Sequence, residues 1–506
     1  MPDCVSVAAA SATVTQTGTE VGYGLAPPNN SSTVNQSGAG ALATVDQTGE
    51  LNRSSVIQTA DAEANVGQTG VYNESNVTQS ADGALANVTQ TGAPPSGGPG
   101  VGQGDNLSNI VQNGASTATV IQLANNPTNG FPSNDSRILQ EGAGNDADVS
   151  QTGDNNTSDI DQLGSGDDAD VIQLGDNNTS AITQNSNTDN VASVNQAGNN
   201  NNSGITQSGS DALAILNQTG DNSNSTITQL SGGEVRVNQD GTTGSTSTVT
   251  TEADSNLAPP ANTVLVNQDD AGTGPALGQA NISTVIQDNV NLGSSVEVNQ
   301  THNIAGEESN TSFVRQGRNA SNGDVLVNQT GGDNVSNYTS TTSTDNDANI
   351  TQTGSNNNSD VQQDFQNGGA LASVTQNNAG GADNNVYVDQ ISLGFSGAPD
   401  FALGASATAS QDGEGNTSTI SQTGYNTTLA TANLASNTQT GDFNTSTILQ
   451  PGTDNTATVN QLADGNTSWV EQSGHGNSAT VNQLSNGNNS TVTQSGNGST
   501  ATVTQN

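Results

Sequence analysis

The stretch NTATVNQLADGNTSWVEQSGHGNSATVNQLSNGNNSTVTQSGNGSTATVTQN, Asn455–Asn506, decides the fold. It writes one polar phrase ending in glutamine five times, with Gln461, Gln472, Gln483, Gln494 and Gln505 each 11 residues apart and Gln450 one step earlier. An earlier run, Gln140, Gln151, Gln162, Gln173, Gln184, Gln196, Gln207, Gln218 and Gln229, keeps the same step with a single one-residue slip. The chain of 506 residues has 29% hydrophobic and 2% aromatic content and a net charge of −43, a composition that by itself suggests disorder. A register kept over this length argues instead for a repeat architecture.

Working back from each glutamine, the residues alternate. Asn416, Ser418, Ile420 and Gln422 lie two apart, as do Asn488, Ser490, Val492 and Gln494, and residues two apart share one face of a β-strand. The position two before glutamine is β-branched at Val14, Val45, Val88, Ile160, Val171, Ile205, Val459 and Val503, which marks that face as the interior. Gly153, Gly164, Gly175, Gly424 and Gly474, two residues after glutamine, supply tight turns.

Four residues before glutamine, successive strands alternate alanine and serine: Ala147, Ser158, Ala169, Ser180, Ala192, Ser203, Ala214, Ser225. Valine takes the alanine place at Val235, Val264, Val296 and Val325, and only Val386 breaks the alternation. The unit is therefore 22 residues of strand, turn, strand, turn. About 39 strands between Ala12 and Ala501 predict an all-β fold, a β-solenoid of about 19 turns with two facing parallel sheets. At ~4.8 Å per turn it would extend about 90 Å. Residues 1–11 read as a lead-in and 12–506 as a single solenoid, with loop insertions near 20–30, 92–106, 125–134, 252–262 and 391–404, where proline cannot join a ladder. Tolerated insertion at exposed corners is the expectation for these loops, with binding loops as the alternative.

The repeated amides predict a structural role. Buried polar groups need partners, and identical amides stacked every ~4.8 Å bond to the one above and below. Gln422, Gln450, Gln461, Gln472, Gln483, Gln494 and Gln505, with Asn416, Ser418, Ile420, Val459, Val481 and Val492, are the expected interior ladders. Val14 and Gln16 in the first strand and Val503 and Gln505 in the last are expected to form edges for polymerisation, because an uncapped strand edge templates pairing.

Other functions find little support. His302 and His475 are not in ligand spacing, Cys4 is alone, and neither a catalytic set nor a metal or cofactor site is expected. Five arginines and no lysine oppose nucleic-acid binding, and no apolar run approaches a membrane span. Trp469 falls on an outward position. The opening MPDCVSVAAASATVTQTG lacks a charged start and a long apolar stretch and reads as a mature form with an added Met1. Asp148 and Asp170 should stack on one outer face and Asp159 and Asp161 crowd the other, with turn residues Asp154, Asp167, Asp168 and Asp176 adding to a repulsive field that salt screens.

The phrase Asn-x-Ser-x-Ile-x-Gln-x-Gly-x-x-Asn-x-Ala-x-Val-x-Gln, with NNTSDIDQLGSGDDADVIQLG (Asn155–Gly175) and GNTSWVEQSGHGNSATVNQ (Gly465–Gln483) as close instances, resembles the curlin repeat of bacterial curli fibre subunits. The resemblance implies a secreted β-solenoid subunit that polymerises head to tail into extracellular amyloid-type fibres of the biofilm matrix or cell surface. It also implies a nucleating subunit and an outer-membrane secretion channel as partners, and no enzymatic activity. This chain departs from the family's short members in its many repeats and interrupting loops. A monomeric binding solenoid, whether adhesin, ice-binding or calcium-binding, stays open as the alternative. Against it stand an irregular outward surface (Thr13/Thr15, Thr33/Asn35, Thr44/Asp46, Ser55/Ile57, Asp159/Asp161) and the lack of a calcium-binding nonapeptide.

Overall fold

The structure is a computed structural model that describes residues 9–17, 29–92, 106–124, 134–185, 189–241, 244–253, 262–270, 281–290, 293–303, 309–317, 322–341, 345–365, 369–393, 405–425 and 432–506. Residues 1–8, with Cys4, and the central parts of the five expected loops (18–28, 93–105, 125–133, 254–261 and 394–404) lie outside the described residues. Within the described residues there are 39 strands, from Ser11–Thr17 to Thr500–Gln505, and no helix. They group into two compact units, Met1–Gly233 and Glu234–Asn506.

Both units are built by the same rule. In the first, Ser11–Thr17 pairs with Leu42–Glu50 and that with Glu63–Val71, whereas the intervening Ser31–Gln36 pairs with Arg53–Gln58 and that with Glu74–Gln79. In the second, Thr417–Tyr425, Thr445–Gln450, Thr467–Gln472 and Asn489–Gln494 form one run, and Leu434–Thr440, Thr456–Gln461, Ser478–Gln483 and Thr500–Gln505 form the other. The pairings are parallel, so consecutive strands lie on opposite sheets and every second strand stacks, as a coil of strand and turn requires. One sheet carries the alanine or valine column and the other the serine column, and Val386 sits between Ser359 and Ser418 in the latter.

Insertions do not disturb this phase. Glu74–Gln79 pairs in register with Leu107–Gln112 although 33 residues separate Gln79 from Gln112. Side-chain direction follows the period of two. In Asp168–Leu174, Ala169, Val171 and Gln173 are buried and Asp168, Asp170, Ile172 and Leu174 exposed. In Thr467–Gln472, Ser468, Val470 and Gln472 are buried and Trp469 exposed, as the sequence predicts.

The corner glycine has a steric reason. At Gly175 φ is +116°, and a Cβ there would lie 2.1 Å from the carbonyl oxygen of Gly198 in the next coil. Asn155, Asn177, Asn200 and Asn222 occupy the left-handed region at the same corner of successive coils, a conformation asparagine tolerates better than most residues.

Candidate functional site

The feature that repeats through the described residues is the hydrogen-bonded interior. Buried glutamines donate from Nε2 to Oε1 of the glutamine one coil later: Gln422 to Gln450 at 2.9 Å, Gln450 to Gln472 at 2.9 Å, Gln472 to Gln494 at 2.8 Å. The facing sheet does the same from Gln439 through Gln461 and Gln483 to Gln505, at 2.9 Å each. The same Nε2 also bonds the main chain of the opposite sheet. Gln422 reaches the carbonyls of Ser406 and Asn433, both at 3.1 Å. One amide thus ties together neighbouring coils and facing sheets. Ile420, Val459, Val481 and Val492 fill the column beside it, all buried.

The asparagine ladder runs the other way, and not by amide-to-amide contact alone. Asn416 accepts at Oδ1 from the backbone N–H of Asn444 (3.0 Å), donates its own N–H to Asn384 Oδ1 (3.0 Å), and donates from Nδ2 to the corner carbonyl of Gly441 (2.8 Å). Where asparagine amides of this ladder bond each other, as Asn156 Nδ2 to Asn134 Oδ1 at 3.0 Å and Asn357 Nδ2 to Asn334 Oδ1 at 2.9 Å, donation runs toward the N-terminal coil, whereas Asn416 Nδ2, like glutamine Nε2, donates toward the C-terminal one.

Serine departs from the expected ladder. Ser158 and Ser180 are buried, yet their hydroxyls make no hydrogen bond to a protein group. Ser418 is bonded only because Asn437, which takes the valine place on the facing strand, donates to its Oγ at 2.7 Å. Two positions interrupt the glutamine column on the serine-bearing sheet of the second unit. Thr251 stands beside Gln287, whose Oε1 is left without a partner. Ser340 stands where glutamine is expected, and the neighbouring Tyr338, fully buried, donates its hydroxyl to Gln363 Oε1 at 2.9 Å in its place. Burial raises the Tyr338 phenol well above its ordinary range, which keeps it a donor. Sequence reasoning passed over Asn437 and Tyr338; the signal was a polar or aromatic residue in the valine slot.

Outside, Asp148 lies beside Asp170, as expected, and Asp146 beside Asp168, which opens a strand rather than sitting in a turn. Desolvation first, and then the neighbouring carboxylates, raise the carboxyls of Asp146, Asp168 and Asp170. Two expectations about charge need correction. Asp159 and Asp161 are not left to repel, because Arg137 one coil below bonds both, at 2.5 and 2.7 Å. The 22-residue offset between Arg137 and Asp159 was there to find. Nor is Asp176 only a source of field at its corner: its Oδ1 accepts the backbone N–H of Asp154 at 2.8 Å, and Asp176 N–H bonds Asn199 Oδ1 at 2.9 Å. Corner carboxylates and amides therefore continue the ladder outside the core.

The first and last described strands are each paired on one edge. Ser11–Thr17 pairs on one edge with Leu42–Glu50 and is exposed along its whole length, inward-type Val14 included. Gln16 donates to Gln47 Oε1 at 2.7 Å. At the other end, Thr500–Gln505 pairs on one edge with Ser478–Gln483, Val503 is half-buried, and Gln505 donates to the Asn489 carbonyl at 2.9 Å.

Among the described residues no group of three or more His, Cys, Asp or Glu side chains could hold a metal ion, and no helix is long and apolar enough to cross a membrane. His475 Nδ1 lies 3.0 Å from Asp454 Oδ2 and 3.0 Å from Thr453 Oγ1, an exposed corner contact.

Comparison with known families finds the curlin associated repeat at residues 153–185, 188–220, 430–462 and 452–484. Comparison with curated proteins gives no match.

Proposed function

Because this chain is a multi-repeat member of the curlin-repeat family, we propose that it is a structural subunit of an extracellular, curli-like functional-amyloid fibre, polymerising head to tail at the cell surface or in biofilm matrix. The observation that carries the reading is the directional glutamine ladder. Apart from the interruptions at Thr251 and Ser340, a described coil's glutamine accepts from the coil before and donates to the coil after, and Ser11–Thr17 and Thr500–Gln505, each paired on one edge, would offer the same backbone edges and amides to a further copy. Heterologous pairing of such ends generates an open filament rather than a closed ring. The role is structural, not catalytic. Self-association is the primary partnership, with a nucleating subunit and an outer-membrane secretion channel as further partners on the family's pattern.

Purified chain incubated at high concentration should form unbranched fibres by electron microscopy, with rising thioflavin fluorescence and sedimentable protein. A chain that keeps β-rich circular dichroism yet stays monomeric by light scattering over days would refute polymerisation and favour a monomeric binding solenoid.

A further inference from the structure

The interruption of the amide column at Thr251 brings buried polar groups together without a bond between them. Thr246–Ala253 pairs in parallel with Ile282–Val290, and Thr251 stands directly beside Gln287 in the column that glutamine otherwise fills. Both side chains are buried, Thr251 to 4% exposure and Gln287 to 0%. Neither Thr251 Oγ1 nor Gln287 Oε1 has a hydrogen-bond partner in the protein, although Gln287 Nε2 still donates onward to Gln316 at 2.9 Å.

The cause is reach. In an unbroken rung the donor is an amide nitrogen carried on Cδ, whereas the threonine hydroxyl is carried on Cβ and stops short of the next acceptor. The glutamine amide also serves main-chain carbonyls of the facing sheet: Gln363 reaches that of Asp347 and Gln316 that of Gly323. At the Thr251 rung the register puts Glu234 and Asn262 in those places, and threonine has no amide to offer either carbonyl. The second interruption shows how a neighbouring side chain can compensate. Beside Ser340, Tyr338 donates in glutamine's stead. The residue in the corresponding place here is Val249, buried and without a polar side-chain atom, so that remedy is closed.

We infer that an ordered water molecule is built into the column at this rung: it accepts from the Thr251 hydroxyl, donates to Gln287 Oε1, and gives its second proton to a carbonyl of the facing sheet, Glu234 or Asn262. Three bonds are typical of a buried water, and the part of glutamine that threonine lacks is its polar end, so the room is lined by the groups that this end would have bonded. A metal cation fits less well. The four oxygens are a hydroxyl, a side-chain amide and two main-chain carbonyls, none formally charged, and a buried ion without a counter-charge is costly. The site lies within one coil and does not depend on the polymerisation reading above.

Oxygen-17 relaxation dispersion of the solvent counts waters held long enough to tumble with the protein. On freshly purified, unassembled chain, Thr251→Gln, which supplies the missing amide, should lower the dispersion amplitude by about one water per chain. Gln162→Thr copies the rung into an unbroken stretch, beside the Gln184 acceptor and with buried Ile160 in the place of Val249, and should raise the amplitude by about one water. Exchange of sodium for potassium should change neither result. An amplitude left unchanged by Thr251→Gln overturns the inference, as does one that follows the identity of the cation, which would assign the site to an ion. Should Thr251→Gln lose the wild-type circular dichroism, Gln162→Thr decides alone, and no gain there overturns the inference.

Discussion

Replacing Gln162 by leucine separates the hydrogen-bonding role of the interior from its shape. Gln162 accepts from Gln140 Nε2 at 2.9 Å and donates to Gln184 Oε1 at 3.0 Å and to the carbonyls of Asp146 and Asp167 at 2.8 and 2.9 Å. Leucine leaves Gln184 Oε1 buried without its donor, a cost of about 1–3 kcal/mol, and removes three further bonds worth about 1 kcal/mol each. The Gln140 amide keeps the Thr117 carbonyl and both main-chain carbonyls keep other prospects, so only the Gln184 oxygen is charged the full desolvation penalty. Added apolar burial returns about 1 kcal/mol, for a net loss of about 3–5 kcal/mol. Ser158, buried in the same strand, is the control. Its hydroxyl has no protein partner, so Ser158→Ala should lie within about 0.5 kcal/mol of neutral or stabilise.

Long repeat arrays do not unfold as one two-state unit, so a local assay is needed. Native-state hydrogen exchange read by mass spectrometry should show protection in Asp135–Gln140 and Thr179–Gln184 falling by roughly two to three orders of magnitude in Gln162→Leu, at ~1.4 kcal/mol per tenfold, and little changed in Ser158→Ala. Equal loss in the two variants, or less than about threefold loss in Gln162→Leu, would refute the assignment of stability to the amide ladder.

Val171→Asp should bury an unpaired carboxylate and cost several kcal/mol, while Ile172→Asp on the exposed side of the same strand should cost less than ~1 kcal/mol; equal fibre growth by both would contradict the inward and outward assignment. The raised carboxyls of Asp146, Asp168 and Asp170 bind protons more tightly folded than unfolded, so their contribution is fully present below the ordinary carboxylate value and is lost as pH rises through the raised values. Protection of Asp146–Thr152 and Asp168–Leu174 should therefore increase on acidification from neutral toward pH ~4, and an Asp146→Asn, Asp168→Asn, Asp170→Asn chain should lose that increase. Fibre growth should accelerate from ~10 mM to ~1 M NaCl as like charges are screened, indifference to salt would remove repulsion as the brake, and acceleration by calcium at constant ionic strength would indicate specific carboxylate sites.

The periodicity made the fold readable because a one-residue slip would turn every valine outward, and no insertion does so. That is why Gln79 still meets Gln112 across 33 residues. What the pattern could not supply is how a given rung is satisfied. Asparagine and glutamine look alike as stacked amides, yet the shorter side chain of Asn416 bonds the corner carbonyl and the next backbone N–H, where Gln422 bonds the next amide. Serine is shorter still. At Ser158 the hydroxyl reaches no protein partner, and its selection over alanine is not explained by hydrogen bonding. Compensation is legible only in three dimensions: Tyr338 donates where Ser340 cannot because both lie inward, two residues apart on one strand.

These contrasts bear on why assembly should have a direction. A glutamine side chain spans from its own coil to the next with Nε2 leading, and the same atom anchors the facing sheet, so a strand arriving at the Gln494 and Gln505 end meets donors already aimed by two other bonds, such as those from Gln494 to the Ser478 and Ser499 carbonyls. A strand arriving at the Gln16 and Gln36 end must bring its own donor to Oε1, beside inward-type residues that are themselves exposed or half-buried. The first surface is ordered before docking and the second is ordered by it. Under the proposed polymerisation, less side-chain freedom is lost when the Gln494 and Gln505 surface of one copy captures Ser11–Thr17 of another than when two Ser11–Thr17 strands meet, where acceptor would face acceptor. For the proposed fibre, that asymmetry favours growth by one pairing of unlike ends over end-to-end dimers.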